Sequence, residues 1–337
     1  MKKKGVHSLK KSSYVVQGLV VDVFCKNNLN SIISTYFNRL YSGEKCSDAK
    51  PLEFEFYITE KPYPIPSGLV QVVKSPFVTY YRKGKEIYFI SEDGSTVCLN
   101  PTTRSAKGFI RKEILNNSLV LYSLIGACLL ENLKYLGLYF LHSAALYGNG
   151  IGYLVSGDGG CGKTTISISL VREGFKYVSD DSLLIEEIGE EINVYPLYTN
   201  FHIDQNLAEC FPEIAGDKCL LIPEGSKVSV DISKIFPDSF IPHLRPDIII
   251  TPKITSDEKS QLYPISQLEV YRRLLKQTLL AVDKEVSKNQ LNALEKLVKQ
   301  TTCFELLSGK DIHKDPKRLV SLIREVTNDE NYKKTKL

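Results

Sequence analysis

Apolar residues recur along the first hundred positions in short runs, each closed by a turn. Residues 14–24 carry Val15, Val16, Leu19, Val20, Val21 and Val23 and predict a strand. A helical spacing follows over 29–41. Short β-type runs then recur at 54–58, 70–73, 77–81, 87–90 and 96–99, separated by Gly, Pro and the Asp93-Gly94 turn. Over 112–135 the period becomes that of a helix. This pattern predicts a small strand-rich N-terminal domain over 1–105, a connecting helix over 106–135 and a mixed α/β domain over 136–330.

Within the second domain, 138–142 and 152–156 read as buried strands separated by an Asn149-Gly150 turn. A helix is expected from residue 163 onward and is stopped by Gly174. The next strand, 175–178, runs into Ser179-Asp180-Asp181. Runs at 183–185 and 192–195 flank Gly189 as a hairpin. Further on, 248–250 reads as a strand, and 265–280, 284–299 and 318–326 read as helices.

Composition narrows the function classes. Hydrophobic residues make up 43% and charged residues 24%, as in an ordinary folded protein. A net charge of +4 is too small an excess to predict a nucleic-acid groove. The lysine clusters Lys2-Lys3-Lys4 and Lys333-Lys334 read as solvated ends. The most apolar run, 119–130, is closed by Glu131 and Lys134. It falls short of the roughly 20 residues a membrane span needs, so a core helix is expected and no membrane contact. The early lysines are followed by Gly5-Val6-His7-Ser8 rather than by an apolar stretch, so no secretory signal is expected. Cys25, Cys46, Cys98, Cys128, Cys161, Cys210, Cys219 and Cys303 form no CxxC pair, which points to the reducing cytoplasm.

The chemistry is concentrated in Gly157-Asp158-Gly159-Gly160-Cys161-Gly162-Lys163-Thr164-Thr165, which fits G-x-x-x-x-G-K-[ST] between a strand and a helix. Glycines let successive N–H groups turn toward phosphate oxygens, and the helix start adds its dipole and free donors. Lys163 would bring a positive charge to the outer phosphates, and Thr164 a hydroxyl to Mg²⁺. The spacing therefore predicts a nucleoside triphosphate site with Mg²⁺. Asp180 and Asp181 end the strand after the loop helix, at the sheet edge where ligands bind. Two adjacent carboxylates there suit metal holding or proton transfer.

The stretches Leu141-His142-Ser143-Ala144-Ala145, 152–165 and 172–181 resemble the kinase core of HPr kinase/phosphorylase, and more closely the HPr-kinase-like proteins that share a PEP-carboxykinase-like fold. The resemblance is strong over 138–187. It continues more thinly through Tyr195-Pro196-Leu197, Gly216-Asp217-Lys218 and 304–326. It implies an α/β fold with a P-loop kinase core built on a mixed sheet, joined to the strand-rich N-terminal domain. It also implies roles. His142 matches the family's histidine near the terminal phosphate, and Lys163 the phosphate-binding lysine. Thr164 matches the Mg²⁺-binding hydroxyl residue. Asp181 matches the general base for the acceptor hydroxyl, and Asp180 its neighbour on the metal side. The Glu-Val-Arg-Gly-Leu-Gly-type signature of HPr kinase proper has no counterpart between Glu186 and Pro252. Similar proteins without it include kinases that phosphorylate a serine of a ribosomal peptide precursor, as in lasso-peptide clusters.

Two readings follow. One is an ATP- and Mg²⁺-dependent kinase acting on a hydroxyl, serine above all, of a peptide, protein or small molecule. The other is a nucleotide-binding regulatory or assembly module that hydrolyses ATP slowly. The sequence leaves open the acceptor, ATP against GTP, and whether the chain forms a homo-oligomer.

Overall fold

The run read as one strand over 14–24 is a hairpin. Gln17 and Gly18 have φ of +51° and +75°, and two successive positive φ values turn the chain back on itself. This computed structural model describes residues 9–43, 50–116, 118–204, 206–207, 211–215, 222–224, 227–315 and 317–328. Gly216, Asp217, Lys218, Cys46, Cys210, Cys219 and both terminal lysine clusters lie outside the described residues. The chain divides into two compact units, Met1–Leu136 with Ala281–Ser287, and Gly137–Leu280 with Lys288–Leu337.

The first unit comprises β1 (Lys10–Val16), β2 (Leu19–Cys25), α1 (Asn27–Phe37), β3 (Leu52–Thr59), β4 (Val70–Lys74), β5 (Val78–Lys83), β6 (Glu86–Ser91), β7 (Thr96–Asn100), β8 (Ser105–Arg111) and α2 (Ser118–Lys134). Its strands form one mixed sheet in the order β1-β2-β3-β8-β7-β6-β5-β4. Strand β8 gave little signal in the sequence because two of its inward positions are Ala106 and Gly108. The small residue is needed there, since a Cβ at Gly108 would lie 2.3 Å from the Phe56 ring. Helix α2 buries Leu121, Leu124, Ile125, Cys128 and Leu129. It also buries an ion pair, Lys134 Nζ to Glu131 Oε2 at 2.8 Å. The second oxygen of Glu131 accepts the Val282 N–H at 2.8 Å, and Arg82 donates to Asp283 at 3.1 Å. These contacts hold the segment Ala281–Ser287 in the first unit.

The second unit contains β9 (Tyr139–Gly148), β10 (Ile151–Ser156), α3 (Lys163–Arg172), β11 (Lys176–Ser179), β12 (Ser182–Ile188), β13 (Glu191–Pro196), β14 (Phe201–Asp204), β15 (Ile222–Glu224), β16 (Lys227–Val230), β17 (Ile248–Ile254), β18 (Gln261–Pro264), α4 (Gln267–Lys276), most of α5 (Lys284–Lys299), β19 (Thr302–Ser308) and α6 (Lys317–Asn328). Its main sheet runs β13-β12-β9-β10-β17-β19-β18, with β11 also paired to β9. Strand β10 is parallel to β17, and β17 to β19, while the other pairs are antiparallel. The apolar runs of β10 and β17 follow from this central position, where both faces of a strand are covered. Tyr153, Val155, Ile250 and Leu306 join Ile166, Leu170, Phe175 and Tyr177 in one buried cluster. A separate sheet, β14-β16-β15, packs Phe201, Ile203 and Val230 into the same core. The architecture is mixed α/β. Among the described residues, no helix is long and apolar enough to cross a membrane.

Candidate functional site

Strand β10 ends at Ser156, and the chain turns through Gly157–Gly162 into α3. Gly160 and Gly162 have φ of +78° and +96°, a region that side-chain-bearing residues rarely adopt. Gly162 is the residue before α3 and supplies no side-chain cap. Ile166 donates back to the Gly162 carbonyl at 2.9 Å. The first-turn N–H groups of α3 ahead of it therefore have no acceptor within the helix, which makes this end receptive to an anion. Gly157 leaves space that a side chain would take from Cys161, whose Sγ would lie 2.9 Å from a Cβ at 157. Burial, partly offset by Lys163, raises the Cys161 thiol above its usual value and keeps it from becoming a thiolate.

Lys163 is 6% exposed, and its Nζ donates to the carbonyls of Gly157 at 2.7 Å and Asp158 at 3.3 Å. The ammonium is thus folded into the ring of its own loop. Thr164, one residue on, has its hydroxyl 3.5 Å from Asp180 Oδ2. Thr165 closes the first turn, half-buried.

The two aspartates occupy the short turn between β11 and β12. Strand β9 reaches them because it runs on past the expected 138–142 to Gly148, pairing with β12, β11 and β10. Its register sets His142 opposite Ser182, so the imidazole lies beside the turn. His142 Nδ1 is 3.0 Å from Asp181 Oδ1. Burial lowers the His142 pKa below its usual 6.5, outweighing the pull of Asp181, and the charges of Lys163 and Lys227 act in the same direction as burial. The neutral ring that results has one N–H. With Nδ1–H donated to Asp181, Nε2 is left as an acceptor.

Asp180 has a different environment. It is 1% exposed, and its Oδ1 has no hydrogen-bond partner. Burial first, and then the neighbouring Asp181 charge, push its pKa from 3.8 to about 7, against the opposing charges of His202 and Lys227. A buried carboxylate oxygen without a partner is costly unless a cation or proton meets it. Among the described residues, no three His, Cys, Asp or Glu side chains converge on one point. Mg²⁺ is commonly held by one or two carboxylates together with phosphates and water, and the Asp180–Thr164 pair fits that habit.

The cost of burying Asp180 gives a testable stability effect. Below its ordinary value of 3.8 the carboxyl is protonated in both folded and unfolded chains and costs nothing. As pH rises from there to about 7, the unfolded chain ionises first and stability falls. Above that pH the full cost persists, on the order of a few kcal/mol. Asp180→Asn keeps the shape and removes the charge. The free variant should therefore melt above the wild type at pH 8, with the gap closing toward pH 4. Equal melting curves at pH 8 would show that Asp180 is not strained.

The structure brings His142, Asp181, Asp180 and Thr164 to one sheet edge beside the loop that carries Lys163. The sequence did not single out Lys227 or Gln277. Lys227 opens β16, and its charge reaches both His142 and Asp180. Gln277 follows α4, which ends at Lys276 rather than running on to 280 as expected. Neither has a local motif that would mark it. The structure places His202 on β14 opposite Ser229, and Asn200 donates to the Ser229 hydroxyl at 3.1 Å.

No protein-family model matches this sequence, and no curated protein is similar to it. Among solved structures, the HPr(Ser) kinase/phosphatase from Coxiella burnetii is similar over 55% of this chain and 94% of its own, with 17% sequence identity and a TM-score of 0.31. A likeness that loose transfers no residue roles.

Proposed function

We propose that the second unit is an ATP- and Mg²⁺-dependent kinase that transfers the γ-phosphoryl group to a hydroxyl, serine above all, of a peptide, protein or small molecule. The observation that carries this reading is the convergence at one sheet edge. A glycine loop leads into a free helix start with Lys163, next to the orphaned Asp180 oxygen and the His142–Asp181 pair. The arrangement of the cysteines supports a cytoplasmic setting.

In this reading the loop N–H groups and Lys163 bind the triphosphate and hold its γ-phosphorus in line with the acceptor. Thr164 and Asp180 are the residues that would hold Mg²⁺, which when bound neutralises phosphate charge. Asp181 accepts the acceptor's proton as its oxygen bonds to phosphorus and the bond to the bridging β–γ oxygen breaks, releasing ADP. His142 orients Asp181 through its Nδ1–H. The lowered pKa keeps the imidazole neutral, so Nδ1–H gives Asp181 a hydrogen bond rather than a proton.

The test is incubation of the whole protein with γ-labelled ATP, Mg²⁺ and serine-bearing peptides, with and without EDTA. Label should appear on a peptide and require Mg²⁺. Slow phosphate release with no labelled acceptor would instead indicate the regulatory NTPase module. Absence of nucleotide binding would overturn the loop assignment.

A further inference from the structure

Pairing between β9 and β10 ends at Ser143 and Ser156, where β10 leaves the sheet for the loop. The next β9 residue, His142, gives its N–H to the carbonyl of Gln277 at 2.8 Å. The side chain of the same glutamine donates from Nε2 to Asp158 Oδ1, also at 2.8 Å. Gln277 is 7% exposed. Its segment is fastened further by Thr278, whose hydroxyl donates to the Phe140 carbonyl and accepts from Gln290 Nε2 at 2.8 Å. One residue thus touches both halves of the site, β9 beside His142 through its main chain and the loop through its side chain. Asp158 in turn lends its carbonyl to Lys163.

We infer that Gln277 is a positioning residue that sets the loop carrying Lys163 against the strand carrying His142, and so governs nucleotide affinity without touching the nucleotide. This rests on the proposed nucleotide site. An amide suits the position because its N–H₂ end is a donor facing a carboxylate, and a hydrogen bond to a charged group is stronger than a neutral one. The main-chain contact to His142 survives substitution at 277, so a change of side chain acts on the loop alone.

The experiment is a double-mutant cycle on the whole protein. Gln277→Glu places a second carboxylate against Asp158 and leaves no donor. Combining it with Asp158→Asn restores a hydrogen bond of reversed polarity, from the new amide to the new carboxylate. Two readouts are taken: hydrogen exchange of the loop amides 157–162 without ligand, and MgATP affinity by titration. Gln277→Glu should speed loop exchange and weaken MgATP about fivefold to tenfold, while the melting temperature moves by only a few degrees. The double variant should recover most of both losses. Wild-type loop exchange in Gln277→Glu, or a double variant no better than the single, would overturn the inference. Wild-type protein that binds no MgATP would overturn the nucleotide site instead, and the exchange data would still decide the role of Gln277.

Discussion

Asp181→Asn should slow phosphoryl transfer by about 10²–10⁴-fold, the usual span of a general-base contribution. The substitution is close to isosteric, and the new amide oxygen can still accept from His142 Nδ1, which lies 3.0 Å from Asp181 Oδ1 in the native site. Orientation is thus kept and basicity is lost. Nucleotide affinity should change little, because the loop, Lys163 and Thr164 are intact. The measurements are single-turnover transfer to a labelled acceptor and separate MgATP titration. Wild-type transfer in Asp181→Asn together with a dead Asp180→Asn would mean that the two aspartates have their roles reversed. Normal transfer in both would leave the pair a structural turn only and remove the main support for a kinase beyond the loop.

Lys163→Ala should lower both nucleotide affinity and turnover, with turnover falling at least about 10²-fold, the scale set by removing one charge-stabilising donor from a reacting centre. Lys163 is also buried and donates to two loop carbonyls, so alanine removes packing and local structure as well as charge. Lys163→Met keeps an apolar stem without the ammonium and separates these effects. If methionine and alanine fail alike while both proteins melt cooperatively, the charge is what matters. A folded Lys163→Met protein that turns over ATP at the native rate would sink the phosphate-loop reading.

The strand–loop–helix over 151–172 was legible in the sequence because each part has a local cause: a run buried on both faces, glycines where φ is positive, and a helix that begins at a lysine. The Asn149-Gly150 turn was legible for the same reason, with φ of +56° and +79°. What was hidden depends on partners far away in sequence. Strand β19 pairs in parallel with β17 along all seven positions from Ile248↔Thr302 to Ile254↔Ser308, yet nothing near 302 announces a central strand. The apolar spacing that suggested a helix over 265–280 continues through Leu279 and Leu280. The helix ends at Lys276 because Gln277 and Thr278 bond to β9 instead. That false continuation set Gln277 on a notional helix face and concealed its place in the site. The three-stranded sheet that delivers Lys227 is built from runs of three and four residues, too short for a period to show.

The return of Ala281–Ser287 to the first unit has a consequence for synthesis. Glu131 is completely buried and needs the Val282 N–H as well as Lys134. The ribosome delivers Val282 only after the loop, the aspartate turn and α4 have all emerged. The first unit is therefore begun first but stays open until most of the second has been made. While it waits, a carboxylate in its interior lacks one of its donors. Both units close late, the first with Ala281–Ser287 and the second only with β19 and α6.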